Sequence, residues 1–254
     1  MNLSFRSRLQ NCEPLLGTII SIPSPEIAEI LAEVGFDWLF IDLEHSKMGP
    51  GDASTLLEAV AGRVDCIIRV PLNDEIWIKK VLDTGATGVL IPRVNTMEEA
   101  QRAVRYCKYP PQGTRSVGMS RAHGYGAHFQ EYIERANIDT VVIIQIEHIQ
   151  AVENIEMILK VEGIDGILIG PYDLSASMNL MGQLNHPDVQ SAVSHIRQAC
   201  LDHKIPYGIF TINIANARTF IAEGYSLIAV GGDTSMLAQA AKSAVQTFHL
   251  QHRQ

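Results

Sequence analysis

The amino-acid sequence predicts an α/β fold, a single (β/α)8 TIM barrel. Short apolar runs rich in β-branched residues, with no polar face, recur along the chain and read as strands buried on both sides. Segments with helical apolar spacing separate them, and that alternation implies right-handed crossovers and a parallel sheet. Eight such units fit in 254 residues, a length that α/β barrels commonly fill as one domain. A doubly wound open sheet would bring a glycine-rich phosphate turn after the first strand, where this chain reads Ile22-Pro23-Ser24-Pro25. No flexible linker interrupts the rhythm, so residues 1–254 are expected to form one barrel domain.

The elements follow in order. Leu15 to Ile22 reads as the first strand, and Pro25 to Gly35 as a helix with Ser24 as its N-cap, Pro25 in its first turn and Ile27, Ile30, Leu31 and Val34 as its apolar stripe. Trp38 to Asp42 is the second strand and Asp52 to Ala61 the second helix. Cys66 to Val70 and Gly88 to Ile91 are strands three and four, separated by a helix from about Asp74 to Thr84. Thr96 to Cys107 is a helix opened by the capping pattern Thr-Met-Glu-Glu. The run from Val141 and the run from Gly166 are strands five and six, with a helix from Ala151 to Lys160 between them. Pro187 to His203 is a long helix, Tyr207 to Thr211 a strand, and Ile214 to Glu223 a helix stopped by Gly224. Leu227 to Val230 is the last strand, and Thr234 to about Leu250 the last helix.

Two segments break the pattern. Tyr109 to Tyr125 is a long connection carrying Arg115, Arg121 and His123 among glycines, the composition of a lid, a binding loop or a subunit contact whose arginines could grip a carboxylate. Ser175 to Asn185 carries Met178, Leu180 and Met181, which are expected to pack.

Composition narrows the function. With 46% hydrophobic and 19% charged residues the chain reads as a well-cored soluble protein, and a net charge of −8 with a pI near 5.6 argues against nucleic acid or an anionic membrane as partner. The stretch from Leu15 to Ile22 is too short and too polar for a signal peptide, and no run approaches membrane-spanning length. The four cysteines, Cys12, Cys66, Cys107 and Cys200, lack metal or redox spacing, so free thiols in a reducing cytoplasm are expected.

Strands five and six each end in an acid, Glu147 and Asp173, about one strand–helix–strand repeat apart. The two carboxylates should therefore sit at neighbouring strand ends. A carboxylate at the end of a buried strand is costly unless it is paired or bound to a metal, and two of them suit a hard cation such as Mg²⁺. Either acid alone reads equally well as a helix N-cap. Active sites of such barrels lie at the C-terminal strand ends, which here carry Asp42, Glu44, His45, Arg69, Arg93, Gln145, Glu147, Asp173, Thr211 and Asp233.

These residues stand within longer motifs: Phe36-Asp37-Trp38 leading into Ile41-Asp42-Leu43-Glu44-His45, Ile68-Arg69-Val70-Pro71, and Asp83-Thr84-Gly85-Ala86 before Leu90-Ile91-Pro92. Further on come Pro111-Gln112-Gly113-Thr114-Arg115, Arg121-Ala122 with Tyr125-Gly126, Gln145-Ile146-Glu147 and Gly170-Pro171-Tyr172-Asp173-Leu174-Ser175. In order and spacing, from about Leu16 to Leu237, the chain resembles the 4-hydroxy-2-oxoheptanedioate aldolase (HpcH/HpaI) family of class II, metal-dependent pyruvate aldolases. It departs at Tyr172, where a small residue is often found, and at Ser116, where glycine is common.

The resemblance implies reversible cleavage of a 4-hydroxy-2-oxo acid to pyruvate and an aldehyde through a pyruvate enolate held at a divalent metal ion (Mg²⁺, Mn²⁺ or Co²⁺). By the same resemblance Glu147 and Asp173 are metal ligands, and Gln145 with the backbone after Pro171 completes the pyruvate pocket, which Tyr172 and Asp173 also line. Arg69 faces the developing enolate, His45 is the acid–base residue, and Asp83 raises the basicity of that histidine. Asp83 ends a helix, so the sequence alone reads it as a surface charge. A homo-oligomer, a hexamer above all, is also implied. The apolar stripe of the last helix, Met236, Leu237, Ala240, Ala241, Ala244, Val245 and Phe248, packs on its own strands in a lone barrel, whereas the resemblance sends it to a neighbouring subunit and places Asp83 and the Tyr109 to Tyr125 loop near that boundary.

Three alternatives stay open on the sequence. The same site could serve an oxaloacetate decarboxylase or an acyl-CoA lyase. Gly231-Gly232-Asp233 could cradle phosphate for a phosphosugar or phosphoenolpyruvate enzyme. The barrel could also be a non-catalytic binding or assembly module.

Overall fold

The computed structural model describes residues 3–251; the side chains of residues 250 and 251 and all of residues 1, 2 and 252–254 lie outside the described part. The strands are β1 (Leu15–Ile20), β2 (Trp38–Asp42), β3 (Asp65–Arg69), β4 (Gly88–Ile91), β5 (Val141–Ile146), β6 (Gly166–Ile169), β7 (Tyr207–Thr211) and β8 (Leu227–Gly232). They close a barrel in sequence order, and every neighbouring pair is parallel. The expected (β/α)8 architecture is therefore the observed one.

The helices in chain order are α1 (Phe5–Gln10), α2 (Pro25–Glu33), α3 (Pro50–Val60), α4 (Glu75–Asp83), α5 (Met97–Cys107), α6 (Phe129–Asp139), α7 (Ile149–Glu153), α8 (Ile155–Ile158), α9 (Pro171–Ser177), α10 (Pro187–His203), α11 (Ala217–Ala222) and α12 (Asp233–Gln251). The caps follow from local chemistry. Ser24, Asp74 and Thr96 each accept a first-turn N–H of α2, α4 and α5, which removes orphan donors at those helix starts.

Alternation along the strands divides the core in two. Leu15, Trp38, Phe40, Ile67, Leu90, Ile143, Leu168, Leu227 and Ala229 fill the barrel interior, while residues such as Ile20, Leu39, Ile68, Val142 and Ile167 face the helices. Gly17 is required by this packing: a Cβ there would fall 2.4 Å from the Trp38 ring.

Four features depart from the sequence reading. A helix precedes the first strand, and its Phe5 and Leu9 enter the interior cluster as the floor of the barrel. Arg6 and Arg8, which give that segment its polar look, anchor the plug from outside, Arg6 to Asp165 at 2.7 Å and Arg8 to Asp37 at 2.7 Å. The connection after α5 is more ordered than its composition suggests, with a 3₁₀ segment (Arg121–Gly126) followed by α6. The helix expected over Ala151 to Lys160 is two short ones, α7 and α8, broken at Asn154, whose side-chain Nδ2 donates to the Asn95 carbonyl instead of continuing outward into solvent. Met181, expected to pack, is 82% exposed.

The floor makes a stability prediction. Leu9 is fully buried, and Leu9→Ala leaves a cavity among large side chains, so the unfolding free energy is expected to fall by about 2–5 kcal/mol. A urea titration should show a lower midpoint at unchanged slope. An unmoved midpoint would mean that α1 is not part of the folded core.

Candidate active site

The site begins where β2 and β3 end together. Their register pairs Asp42 with Arg69, so a carboxylate and a guanidinium emerge side by side at the rim. Arg69 Nε donates to Asp42 Oδ1 at 2.9 Å and Nη2 to Oδ2 at 2.7 Å, a fork-to-fork pair in which both groups are buried. The guanidinium also lies 5.0 Å from the centre of the Phe40 ring. Burial alone would push Asp42 up, yet the Arg69 hydrogen bonds and charge, with backbone N–H groups of Glu44 and His45, hold its carboxyl below the usual range.

Asp42 Oδ1 accepts those two N–H groups at 3.0 and 3.3 Å, which turns the chain sharply after β2. The turn places Glu44 inward and leaves the His45 side chain 66% exposed, with its Nε2 3.7 Å from Glu44 Oε2. Glu44 Oε2 also stands 3.3 Å from Arg69 Nη1, but no hydrogen bond is aligned on it.

Opposite, β5 presents Gln145 inward and Glu147 just past its end. Gln145 Oε1 accepts from Arg69 Nη1 at 3.4 Å, while its Nε2 donates to Glu147 Oε2. The other Glu147 oxygen accepts the Arg93 N–H at 2.9 Å. Arg93 reaches that position with φ of 55°, a left-handed conformation costing a non-glycine residue about 1–2 kcal/mol. Beyond β6, Gly170 lets the chain pass: a Cβ there would lie 3.0 Å from Glu147 Cβ and 3.1 Å from Gln145 Nε2. Asp173 follows in the first turn of α9, and Ser177 Oγ at its other end accepts the Ile149 N–H at 2.9 Å, tying α9 to α7.

Two cavities meet here. An inner one of about 160 Å³ has apolar walls that include Phe40, Leu168 and Phe210, and presents Arg69, Gln145 and Tyr172. An outer one of about 230 Å³ presents Glu44, Arg93, Glu147, His148 and Ser177. His45 and Asp173 line both. Of the residues anticipated from sequence, His45, Arg69, Gln145, Glu147, Tyr172 and Asp173 thus converge on one place.

Asp83 does not. It closes α4, which runs back from the rim, so it sits at the foot of the barrel, where Arg115 Nη2 donates to it at 2.7 Å. Arg115 is itself buried between the Tyr109 and Tyr132 rings. Arg121 likewise turns to the protein, donating to the Thr84 carbonyl at 2.7 Å. The loop arginines hold the chain rather than a ligand. Asp233 accepts from the backbone N–H groups of Ser21 and Ile22 at 2.9 and 2.7 Å, so its carboxylate clasps β1 to β8 where a phosphate cradle would need open donors.

Glu44, Glu147 and Asp173 surround one cavity, and the excess of acid shows in their chemistry. Burial first, then the charges of Glu44 and Asp173, push Glu147 up to about 7. Burial raises Glu44 as well, against the pull of Arg69. A buried carboxylate oxygen without an aligned donor and a second carboxyl pushed up by burial and by neighbouring acids mark a deficit of positive charge. A hard divalent cation fits that deficit and this oxygen donor set. Among the described residues no group of three or more His, Cys, Asp or Glu side chains is already gathered as a metal cage, so Glu147 and Asp173 would leave positions for water or substrate oxygens. The role of Glu44 was the main signal missed in the sequence; only its place between Asp42 and His45 pointed to it.

The profile of the HpcH/HpaI aldolase/citrate lyase family matches residues 18–240. The chain belongs to this family. It is 38% identical over 249 residues to the 5-keto-4-deoxy-D-glucarate aldolase of Shigella dysenteriae serotype 1, covering 96% of each chain. It is 36% identical over 249 residues to the hydroxypyruvate/pyruvate aldolase of Paraburkholderia phytofirmans, covering 95% of each. The crystal structure of an HpcH/HpaI aldolase/citrate lyase family protein from Burkholderia cenocepacia J2315 superposes with a TM-score of 0.93 at 35% identity, over 96% of this chain and 98% of that one. As a member of this HpcH/HpaI family the protein is a carbon–carbon lyase.

The raised Glu147 gives a pH prediction with a definite sign. In the metal-free protein the folded state holds this proton more tightly than the unfolded chain, so the group is neutral to stability at low pH. Its penalty grows as pH rises from the ordinary carboxylate range and is complete above about 7. A cation must displace the proton below that value. Added Mg²⁺ should therefore raise the melting temperature, relative to chelator, more at pH 8 than at pH 5.5. An equal shift at both would count against Glu147 as a ligand.

Proposed function

We propose that this lyase reversibly cleaves a 4-hydroxy-2-oxo acid into pyruvate and an aldehyde through a pyruvate enolate. The observation that carries the reading is Arg69, pinned bidentately by Asp42 with its remaining Nη1 turned toward Gln145 in the inner cavity. A cation already fixed in position stabilises negative charge that develops on a 2-oxo oxygen without reorganising at the moment of reaction. Names of relatives that act on pyruvate or a keto-deoxy sugar acid support the same class.

The chain's own residues supply the rest. The 2-oxo acid end lies against Arg69 and Gln145, and the apolar walls of the inner cavity keep water from the enolate. His45, at the junction of the cavities, takes the proton of the 4-hydroxyl. The C4–O bond becomes a carbonyl, the bond between C3 and C4 breaks, and its electron pair moves into the enolate. A proton returned to C3 gives pyruvate. A divalent cation (Mg²⁺, Mn²⁺ or Co²⁺) held by Glu147 and Asp173 would polarise the 2-oxo oxygen as a Lewis acid. No lysine lines either cavity, so the site offers no amine for a Schiff base.

Chelator should abolish pyruvate release from a panel of 4-hydroxy-2-oxo acids, and Mg²⁺, Mn²⁺ or Co²⁺ should restore it. Glu147→Ala should fall by at least about 100-fold while remaining folded, as expected when a group that organises transition-state charge is lost. Full turnover after exhaustive metal removal, or borohydride trapping at a lysine, would sink the reading.

The proposal extends to assembly. Helix α12 meets its own barrel only at its start: beyond Met236 its residues to His249 are exposed, Leu237 by 62% and Val245 by 57%. Such a stripe on a helix of 19 residues needs a partner surface, and a second copy of this chain supplies one in a homo-oligomer, a hexamer by family resemblance. Asp83 would then serve His45 across a subunit boundary in the cytoplasm, where the free thiols are stable. Leu237→Lys with Val245→Lys should dissociate the assembly in light scattering and lower turnover in parallel. A fully active monomer of the native chain would refute the oligomer.

A further inference from the structure

Side chains alternate along a strand, so Trp38, Phe40 and Asp42 of β2 share one face. Asp42 clamps Arg69 through the two parallel bonds from Nε and Nη2. Such a pair fixes a line and leaves one soft motion, the swing of the guanidinium out of the carboxylate plane. Phe40 stands against that motion. Arg69 Cζ lies over its ring, 5.0 Å from the centre, and both side chains are buried. One strand thus supplies the clamp at Asp42 and the support for the guanidinium face at Phe40.

The support is itself braced. Phe40 stacks on Trp38 with ring centres 6.0 Å apart and planes inclined by 14°, and Trp38 meets Phe5 of α1 at 6.4 Å. Trp38 Nε1 donates to the Leu15 carbonyl at 3.2 Å, and the bare backbone of Gly17 lies against its ring. A column of rings therefore runs from the floor of the barrel to the cation of the inner cavity, where Phe40 also forms part of the wall. The negative face of a desolvated aromatic ring attracts a guanidinium and sets its plane.

We propose that Phe40 is a positioning residue for Arg69, its ring face keeping the guanidinium aimed at the oxygen on which enolate charge develops. The inference rests on the aldolase reading of the site. The experiment follows exchange of pyruvate methyl protons with solvent in the Mg²⁺-loaded enzyme, with the melting temperature measured alongside. Phe40→Leu keeps an apolar side chain but removes the ring face, and should lower kcat for exchange by about 10- to 30-fold. KM should rise by less, because the charge that Arg69 meets is larger on the enolate than on pyruvate. Trifluorophenylalanine in place of Phe40, fluorinated on ring carbons 3, 4 and 5, weakens the negative face at nearly unchanged size. It should reproduce most of the kcat loss with the melting temperature held, and the monofluorinated ring should fall between. Native kcat in the trifluorinated protein would make the role of Phe40 one of packing and overturn the proposal while leaving the aldolase reading standing. Absence of methyl-proton exchange in the native protein would overturn that reading, and this proposal with it.

Discussion

The buried pair of Asp42 and Arg69 is the interaction on which the site is built. Neither ion could be buried alone: breaking such a pair costs about 3–5 kcal/mol because the survivor keeps its desolvation penalty. Their coexistence follows from strand register, which sets the two residues side by side at the ends of β2 and β3. Each then has capacity left over. Asp42 accepts the N–H groups of Glu44 and His45 and so shapes the turn that carries His45. Arg69 reaches Gln145, Gln145 reaches Glu147, and Glu147 receives the Arg93 N–H. One polar chain therefore runs across four strands, and a shift at any link moves the next.

That chain is unbalanced in charge, and the imbalance is informative. Arg69 is the sole fixed cation of the inner cavity and is already committed to Asp42. Glu44, Glu147 and Asp173 remain, in a setting where burial raises both glutamates. A protein selected only for stability would gain by replacing one of these acids with an amide. Keeping them makes physical sense where a cation enters with the substrate's oxygens, and the two cavities provide the space beside them. The same logic explains Gly170, whose missing side chain leaves Glu147 and Gln145 unobstructed.

Much of this was legible in the sequence because barrel geometry converts linear position into spatial position. A β-branched run that ends in an acid places that acid at the rim whatever the loops do, and Glu147 and Asp173 met for this reason. Elements without a periodic signature were not legible. The six residues of α1 carry two arginines and too few apolar positions to show a stripe, yet Phe5 and Leu9 floor the barrel. Asn154 breaks a helix through a contact with Asn95, 59 residues away in sequence, which no local pattern encodes. Asp233 looked like a rim acid and proved to be a clasp, since it accepts the backbone N–H groups of Ser21 and Ile22, just past β1 and far from it in sequence. Glu44 was visible as a rim residue, but its lack of an aligned donor is a property of packing alone.

Asp83 and α12 pose one problem from two sides. A helix that follows a barrel strand returns from rim to foot, so an acid at the end of α4 is a barrel's height away from His45 in its own chain. No side-chain rotation closes that distance. Yet Asp83 is not a casual surface charge: Arg115, with no exposed side-chain surface, is buried between two tyrosine rings to hold it, at the cost of an unpaired Nε. Helix α12, meanwhile, leaves Leu237 and Val245 in solvent. An exposed last helix and an acid held rigidly at the far end both fit the proposed assembly, in which a second barrel would lie against the first. In that proposed assembly the foot of one barrel would approach the rim of the other, with the exposed helix spanning the gap. The cost of burying Arg115 would then be a cost of assembly geometry, and the active site would belong to the oligomer rather than to the chain.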